Sequence, residues 1–355
     1  MIKIAFTGDI MLARNVGQTI EKNPNKKIIE TPIGEFLREF DFVVGNLECP
    51  VSSSAVKKEK TSFRAHPDTL TQIENFHLLS LANNHIFDCG KQGALDTVKH
   101  LKQYTRDFCG LLEDANASLF KKVSITGKEF AFYSCAAEYC IRDSEYDFYP
   151  KIISAADPAV IESIQSTSQL CDYTIVLVHG GNELVPYPEQ HFRNLCQNFI
   201  DAGADAVVTH HPHVTGGVHV YRNKYIFYSL GDFIFDGESF LRRQGVLLHL
   251  SFDENHISYM LHPTEINSAL NVGFASDRNA RATKKRWAKT SSTLQNDSKY
   301  DNKYRYRYTR DLLIFQIDRL SYLLKNKGGV YMFKFMLNKI QLAPHYFRKI
   351  FSKDI

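Results

Sequence analysis

Residues 206–217 read AVVTHHPHVTGG, a short apolar run that ends directly in three histidines and a proline. A continuous apolar run of this length is typical of a strand that is buried on both faces. Packing offers little reason to place three imidazoles within four positions, so the stretch indicates a strand end that contacts metal or phosphate. His210 keeps a second interpretation, as a buried histidine that only makes a hydrogen bond.

The same arrangement of an apolar run followed by polar residues recurs along the chain, in IKIAFTGD, FDFVVGNLE, FHLLSLANNH and YTIVLVHGGNE. Segments such as GALDTVKHLKQY and DPAVIESIQSTSQL read as helices between these strands, and Asp157 and Pro158 suit the start of the second one. This alternation predicts a layered α/β fold. In such sheets ligands bind at the carboxyl ends of the strands, so we expect the polar clusters to converge.

Composition is that of an ordinary globular protein, with 355 residues, 44% hydrophobic and 23% charged. A net charge of +4 is too small to indicate nucleic-acid binding, and none is expected. Seven cysteines without a Cys-x-x-Cys pair favour a reducing compartment and buried thiols. The first apolar run is too short for a signal peptide, and no apolar run reaches a membrane span. We therefore expect a cytoplasmic protein, or one that is peripheral at the inner membrane face.

The later part of the chain changes character. KYIFYSLGDFIF, GVLLHLSF and HISYMLHP predict a second sheet or an antiparallel edge, which completes a domain over residues 1–272. Residues 273–311 are rich in Lys and Arg and read as a basic linker or excursion. Residues 312–355 predict a C-terminal helical appendage of two short amphipathic helices. We expect these helices to pack on the main domain, with peripheral contact to an anionic membrane as the alternative.

Five strand ends offer carboxylate, amide and imidazole groups that suit a metal centre: Asp9, Glu48, Asn84, His85, His179, Glu183, His211 and His213. Such a mixed set of oxygen and nitrogen ligands favours Mn, Fe or Zn. Two divalent ions about 3.5 to 4 Å apart, sharing a hydroxide, are the arrangement that hydrolyses phosphoesters.

Each fragment also has a simpler structural interpretation. Gly8-Asp9 suits an ordinary turn, ANNHIFDCG suits a helix cap, and HGGNE suits a glycine turn with a hydrogen-bonded histidine. Taken together and in strand order, the fragments favour the metal centre.

The succession FTGDIMLAR, GNLECPV, LANNHIFDCG, VHGGNE, PYPEQ, DAGADAVVTHHPHV and YSLGDFIF resembles the bacterial capsule-synthesis proteins of the CapA and PgsA type. The resemblance covers roughly residues 2 to 238. The fold of that family is similar to the calcineurin-like metallophosphoesterases, which implies a layered β-sandwich flanked by helices.

The resemblance also implies roles for individual residues. Asp9 and His213 correspond to ligands of one ion, Glu48 to the bridging aspartate, and His85 to a general acid near the leaving group. The second ion takes Asn84, His179 and His211. The residues expected to support these ligands or to contact substrate are Asn46, Asp88, Glu183, His210 and Asp232.

Two positions depart from the usual metallophosphoesterase motifs. The Asp-x-His opening is Asp9-Ile10-Met11 in this chain, which removes one imidazole ligand. The last motif ends Gly231-Asp232 where Gly-Asn is usual.

Two functions follow as hypotheses. The first is a metal-dependent phosphoric ester hydrolase of capsule or cell-surface polysaccharide biosynthesis, in which a metal-bound hydroxide attacks a phosphoester of a phosphorylated or polyanionic polymer precursor. The alternative is a non-hydrolytic assembly factor that holds a polyanionic polymer or a lipid-linked phosphate for a partner enzyme.

Overall fold

The strands form where the sequence has its apolar runs. The computed structural model describes residues 1–59, 62–141, 149–253, 256–295, 300–329 and 331–332. Its sixteen strands are β1 Ile2–Ile10, β2 Phe42–Leu47, β3 Leu78–Ser80, β4 Asp107–Cys109, β5 Leu111–Leu112, β6 Phe120–Ile125, β7 Lys128–Ala136, β8 Lys151–Ile152, β9 Tyr173–His179, β10 Ala206–His210, β11 Thr215–Tyr221, β12 Lys224–Leu230, β13 Asp232–Ile234, β14 Gln244–Asp253, β15 His256–Ile266 and β16 Val272–Phe274.

Helices connect the parallel strands and continue beyond the last strand. They are α1 Arg14–Lys22, α2 Thr31–Leu37, α3 Gly90–Gln103, α4 Pro158–Thr167, α5 Gln190–Asp201, α6 Asp277–Gln295 and α7 Tyr300–Lys327. Helix α4 begins as expected from the sequence, because the Asp157 side chain accepts a hydrogen bond from the Ala159 N–H and Pro158 is the first helical residue.

Two mixed sheets carry the fold. The first has eight strands in the order β16-β15-β14-β1-β2-β3-β4, and β13 pairs with the end of β1. The second has six strands in the order β11-β12-β10-β9-β7-β6. Strands β1 to β4 run parallel in the first sheet, and β7, β9, β10 and β12 run parallel in the second. The antiparallel β14 to β16 form the edge that the sequence predicted.

The two sheets face each other across a buried apolar layer. Phe6 and Leu248 of the first sheet and Phe132, Leu177 and Phe227 of the second belong to this one cluster. A second cluster packs the helices onto the sheets. The expected layered α/β sandwich flanked by helices is therefore confirmed.

The segment expected to be a linker is helical, which corrects that prediction. Helix α6 occupies residues 277–295 and packs on β11 and β15, and its Trp287 enters the apolar layer between the sheets. Residues 300–327 then form one long helix, α7, in place of a linker end followed by a short helix. Most of the second predicted helix, from residue 330 onward, lies outside the described residues. The boundaries 1–272, 273–311 and 312–355 stay a prediction as domain limits.

The carboxyl ends of β1, β2, β9 and β10 point to the same end of the sandwich, because β1 pairs parallel with β2 and β9 with β10. These four strand ends carry Asp9, Glu48, His179 and the histidines after residue 209. In the part of the chain that is described, no helix has the length and apolar character needed to cross a bilayer.

Candidate metal centre

Two Gly-Asp pairs lie side by side at the start of the site. Asp9 of β1 is opposite Asp232 of β13, and the Asp9 N–H donates to the Gly231 carbonyl at 3.0 Å. A Cβ atom on Gly8 would lie 1.9 Å from that same carbonyl oxygen, so only glycine allows the two strands to approach this closely. The repeated Gly-Asp sequence therefore places two carboxylates next to each other.

Glu48 lies at the centre of the site. Its side chain is completely buried, and neither carboxylate oxygen has a hydrogen-bond partner among the described residues. Three imidazole Nε2 atoms surround its Oε1, those of His213 at 3.7 Å, His85 at 3.8 Å and His179 at 4.0 Å. A buried carboxyl group without a partner is costly, so the arrangement indicates a bound cation.

The His-Pro-His turn places its two outer histidines by means of an unusual backbone. His211 and His213 have φ angles of 103° and 58°, in the left-handed region that residues other than glycine rarely adopt. The Leu184 N–H donates to the Pro212 carbonyl at 2.8 Å, and the His211 N–H donates to Asp9 Oδ2 at 3.3 Å. Backbone strain of this kind is typical of functional sites, where the surrounding contacts hold it in place.

His213 is oriented by the two aspartates. Its Nδ1 lies 2.7 Å from Asp232 Oδ1 and 3.4 Å from Asp9 Oδ2. Arg242 in turn donates from Nε to Asp232 Oδ2 at 3.3 Å. A histidine that donates Nδ1–H to a carboxylate keeps Nε2 available as a ligand, and this Nε2 faces Glu48.

Asn46 connects the two halves of the site. Its Nδ2 donates to Asp9 Oδ1 at 2.8 Å and lies 3.3 Å from His179 Nδ1. His179 Nε2 lies 2.9 Å from Asn84 Oδ1 on its other side. Asn46 therefore contacts a candidate ligand on each side, and its supporting role stays a prediction.

His85 lies at the rim of the site, with 22% of its side chain exposed. Its Nδ1 is 2.9 Å from Asp88 Oδ2, and its ring stacks on Phe63 with centroids 4.0 Å apart. Asp88 Oδ2 is itself held by the Phe63 N–H at 2.6 Å. This support leaves His85 Nε2 directed toward Glu48.

The buried groups have strongly shifted pKa values. Burial and the nearby Asp9 raise the pKa of Glu48 well above its ordinary value. Burial lowers the pKa of His179 well below its ordinary range and that of His211 to about 4. Burial also acts on His213, but the charges of Asp232 and Glu48 overcome it and raise its pKa well above normal. His179 and His211 are thus neutral at pH 7, as metal ligands must be.

Burial would raise the pKa of the carboxyl group of Asp9, but its hydrogen bond with His213 and the charges of nearby histidines lower it below the ordinary range. Glu183 is similar, since the charges of His213 and His211 outweigh burial and lower its pKa. Both residues therefore carry negative charge beside the histidines.

Two groups of side chains have the spacing of metal ligands. The first group consists of Asp9, His213 and Asp232, and the second consists of Cys140, His179 and His211. Within each group the ligand atoms lie within 4.8 Å of one another. Glu48 lies between the groups, within 4.0 Å of a histidine from each. This mixture of carboxylate, imidazole and thiol groups is of a kind that can hold divalent cations.

The remaining predicted residues have distinct places. His210 Nε2 lies 3.0 Å from the Thr7 carbonyl oxygen, a contact that fits both interpretations of this histidine. Asp232, expected to support a ligand, belongs to the first group itself. Met11 is fully buried in the core, and its Sδ accepts a hydrogen bond from the Ala13 N–H at 3.2 Å. The assignment of individual ligands stays a prediction.

Residues 3–237 match the family described as "Bacterial capsule synthesis protein PGA_cap". The chain belongs to this family. The family expected from the sequence motifs is thereby confirmed, and every residue of the candidate centre lies within the matched range.

Known members of this capsule-synthesis family are similar over most of the chain. The PGA biosynthesis protein CapA of Bacillus subtilis is 29% identical over 282 residues, which are 76% of this chain and 73% of that protein. The capsule biosynthesis protein CapA of Bacillus anthracis is 28% identical over 66% of this chain and 60% of its own length. A probable polyglutamine synthesis accessory protein of Mycobacterium tuberculosis is 27% identical over 64% of this chain and 66% of its own length.

Solved structures of similar arrangement include phosphoesterases. A putative 5'-nucleotidase from Staphylococcus aureus is 14% identical, with a TM-score of 0.47 over 80% of this chain and 58% of that chain. The calcineurin-like phosphoesterase YfkN of Bacillus subtilis is 13% identical, with a TM-score of 0.42 over 82% of this chain and 98% of that chain.

Cys140 is the residue of the centre that sequence reasoning missed. It follows β7, whose apolar run EFAFYSCAA was not among the strand ends considered. The signal was present, because this run is also followed by residue types that can bind metals, Glu138 and Cys140. Strand β7 pairs parallel with β9, and Ala136 lies opposite His179.

Proposed function

We propose that this capsule-synthesis family member is a metal-dependent phosphoric ester hydrolase that acts on a phosphorylated or polyanionic precursor of a surface polymer. The observation that supports this most strongly is the buried Glu48 carboxyl group, which has no hydrogen-bond partner in the described part of the chain and is surrounded by histidines of both ligand groups. The substrate class is inferred from the relatives, which are named as capsule and PGA biosynthesis proteins.

Divalent ions in this position supply Lewis acidity toward a phosphoryl group and activate water. Asp9, His213 and Asp232 would hold one ion, and His179, His211 and Asn84 the other. Glu48 would contact both, as the position of its carboxylate between the two groups suggests.

His85 is the residue placed to give a proton to the leaving group. In its charged form Nδ1–H is held by Asp88, and Nε2–H is directed into the site on the side of Glu48. The stacked ring of Phe63 keeps the imidazole in this orientation and limits the access of water to one face. A general acid needs a fixed orientation of this kind toward the reacting group.

The test is a screen of phosphomonoesters and phosphodiesters with the full chain, metal-free and loaded with Mn²⁺, Fe²⁺ or Zn²⁺. We expect hydrolysis of at least one ester class by the loaded protein, and its loss on chelation and in the Asp9→Asn variant. His100→Ala, which changes a partly exposed histidine of α3 outside the site, is the matched control and should keep full activity.

Stoichiometric metal without hydrolysis of any ester would contradict the hydrolase and support the non-hydrolytic assembly factor. One observation favours that second candidate. Met11 stands where metallophosphoesterases of the Asp-x-His type have an imidazole, and its side chain packs in the core. In the hydrolase, Asp232 of β13 would take the place of that imidazole, because its carboxylate belongs to the same group of candidate ligands.

A further inference from the structure

Cys140 lies beside the two histidines of the second ligand group. Its side chain is buried, and its Sγ is within 4.8 Å of a ring nitrogen of both His179 and His211. Burial alone is common for a free cysteine, which behaves as a small apolar residue. The surroundings of this thiol differ from those of an ordinary core cysteine, because two imidazoles lie beside it.

Backbone hydrogen bonds tie the turn that carries Cys140 to the end of β9. The Ala137 N–H donates to the His179 carbonyl at 2.9 Å, and the Cys140 N–H donates to the Ala137 carbonyl at 2.8 Å. The Gly181 N–H donates to the Tyr139 hydroxyl oxygen at 2.6 Å. The thiol is thereby held in a defined position next to His179.

An independent feature points to a ligand at the same place. His211 is buried, and its Nδ1 has no hydrogen-bond partner among the described residues. Its ring centroid lies 4.8 Å from that of His179. A neutral buried imidazole nitrogen without a partner is costly unless a cation or a donor satisfies it.

We propose that Cys140 is a thiolate ligand of the ion that His179 and His211 bind, an inference that rests on the metal centre of the proposed function. On coordination the S–H bond is replaced by a sulfur–metal bond, and the proton passes to solvent. The ligand atoms of the three side chains lie within 4.8 Å of one another, so small side-chain movements would bring all three onto one ion.

The consequence is a centre with two unlike halves. Cys140, His179 and His211 form a soft site that prefers Zn²⁺ or Fe²⁺, whereas Asp9, His213 and Asp232 form a harder site that also suits Mn²⁺. The two ions should therefore bind with unequal affinity, for a reason that lies in the ligands themselves.

Cobalt(II) substitution tests the proposal without measuring activity. We expect the cobalt-loaded full chain to show visible d–d bands together with a near-ultraviolet charge-transfer band from thiolate to cobalt. Cys140→Ser should lose the charge-transfer band and keep visible bands, and its preference for Zn²⁺ over Mn²⁺ should fall by about tenfold or more. Cys135→Ser is the matched control, because Cys135 is also buried and its thiol donates to the Leu177 carbonyl at 3.8 Å.

Bound cobalt without a charge-transfer band in the unaltered chain overturns the proposal and leaves the metal centre intact. A charge-transfer band that survives in Cys140→Ser overturns it as well, with Cys140→Ala as a second variant if the serine variant does not fold. If no cobalt binds at all, the proposed function fails together with this inference, so the two failures are distinguishable.

Discussion

Glu48 carries a buried carboxyl group for which no other described residue provides a hydrogen bond. In the absence of metal this group destabilises the fold, since burial and the charge of Asp9 raise its pKa more than the charge of His213 lowers it. Glu48 therefore lowers the free energy of unfolding of the metal-free protein, as is common for residues of functional sites.

Glu48→Leu should stabilise the metal-free protein while abolishing the binding of at least one ion. Replacing a buried polar group that lacks partners by an apolar one of similar size should raise the free energy of unfolding by about 1–3 kcal/mol. Urea unfolding of chelator-treated protein measures this gain. Glu48→Gln is the control, because its amide remains without partners and should give little or no gain. A loss of stability in Glu48→Leu without metal would refute this account of Glu48.

Asp88 fixes the orientation of the His85 ring. Asp88 Oδ2 accepts from the Phe63 N–H and lies 2.9 Å from His85 Nδ1, so it holds the ring with Nε2 toward Glu48. If these two residues only stabilised the loop after β3, the hydrogen bond from the Phe63 N–H to Asp88 would be sufficient. An imidazole at position 85 would then not be required.

His85→Ala should lower turnover by about 10²- to 10⁴-fold, the usual effect of removing a general acid, with bound metal unchanged. Asp88→Asn should give a smaller loss, because the imidazole stays in place but loses the carboxylate that orients it. Steady-state kinetics across pH, with elemental analysis of each variant, provide the measurement. Loss of metal in His85→Ala would instead make His85 a ligand.

At the scale of elements, the strands could be predicted from the sequence and helix α6 could not. Strands such as β2 and β9 are buried along most of their length, and continuous apolar runs report that burial directly. Helix α6 buries only Thr283, Trp287, Thr290 and Leu294, so half of its buried stripe consists of threonines. A pattern that counts threonine as polar shows a basic linker instead of a packed helix.

The packing of helix α7 could not be predicted from the sequence either, for a different reason. Its Phe315 and Leu323 are buried against the domain, whereas Leu313 and Ile317 of the same helix are 61% and 56% exposed. Apolar residues on two opposite faces leave no single hydrophobic stripe to recognise. The sequence therefore predicts a helix in this region without indicating which face packs.

His262 on β15 should make the contact between β15 and α2 sensitive to acid. Its ring packs edge-on against Phe36 at 4.7 Å and over His249 at 6.0 Å. Burial, His249 and Lys284 lower its pKa to about 4, compared with about 6.5 in an unfolded chain. The unfolded state takes up a proton first as pH falls, so the stability present above pH 6.5 is lost between about pH 6.5 and 4.

His262→Phe removes this titration and keeps the ring contacts. The fall in unfolding free energy between about pH 6.5 and 4 should then shrink by about 1–2 kcal/mol, with allowance for solvent near the ring. Urea unfolding at a series of pH values measures the change, and His256→Phe, at the exposed start of β15, is the control. An unchanged pH dependence would show that His262 titrates normally.

At the scale of the whole molecule, the site is the meeting point of both sheets. Asp9 and Glu48 come from the first sheet, and His179 and His211 come from the second. The convergence could be predicted, because parallel strands present their carboxyl ends at one edge. The nearness of Cys140 to His179 and of Asp232 to Asp9 could not, since it depends on the pairing of β7 with β9 and of β13 with β1.

A centre that joins the two sheets couples metal binding to the stability of the sandwich. Removal of metal should lower the unfolding free energy by about 2.7 kcal/mol relative to protein in a hundredfold excess of metal over its Kd. Thermal unfolding with and without chelator measures the effect. His213→Asn should reduce this metal-dependent gain, whereas His100→Ala should retain it. An equal transition temperature with and without metal would contradict the coupling.

The most direct test of the central claim is the number of metal ions bound per chain after chelation, reconstitution with Zn²⁺ and Mn²⁺, and removal of free metal. Elemental analysis should find about two ions per chain in the unaltered protein, with fewer in variants of Glu48. Absence of bound metal after reconstitution of folded protein would contradict the account that these strand ends form a binuclear centre.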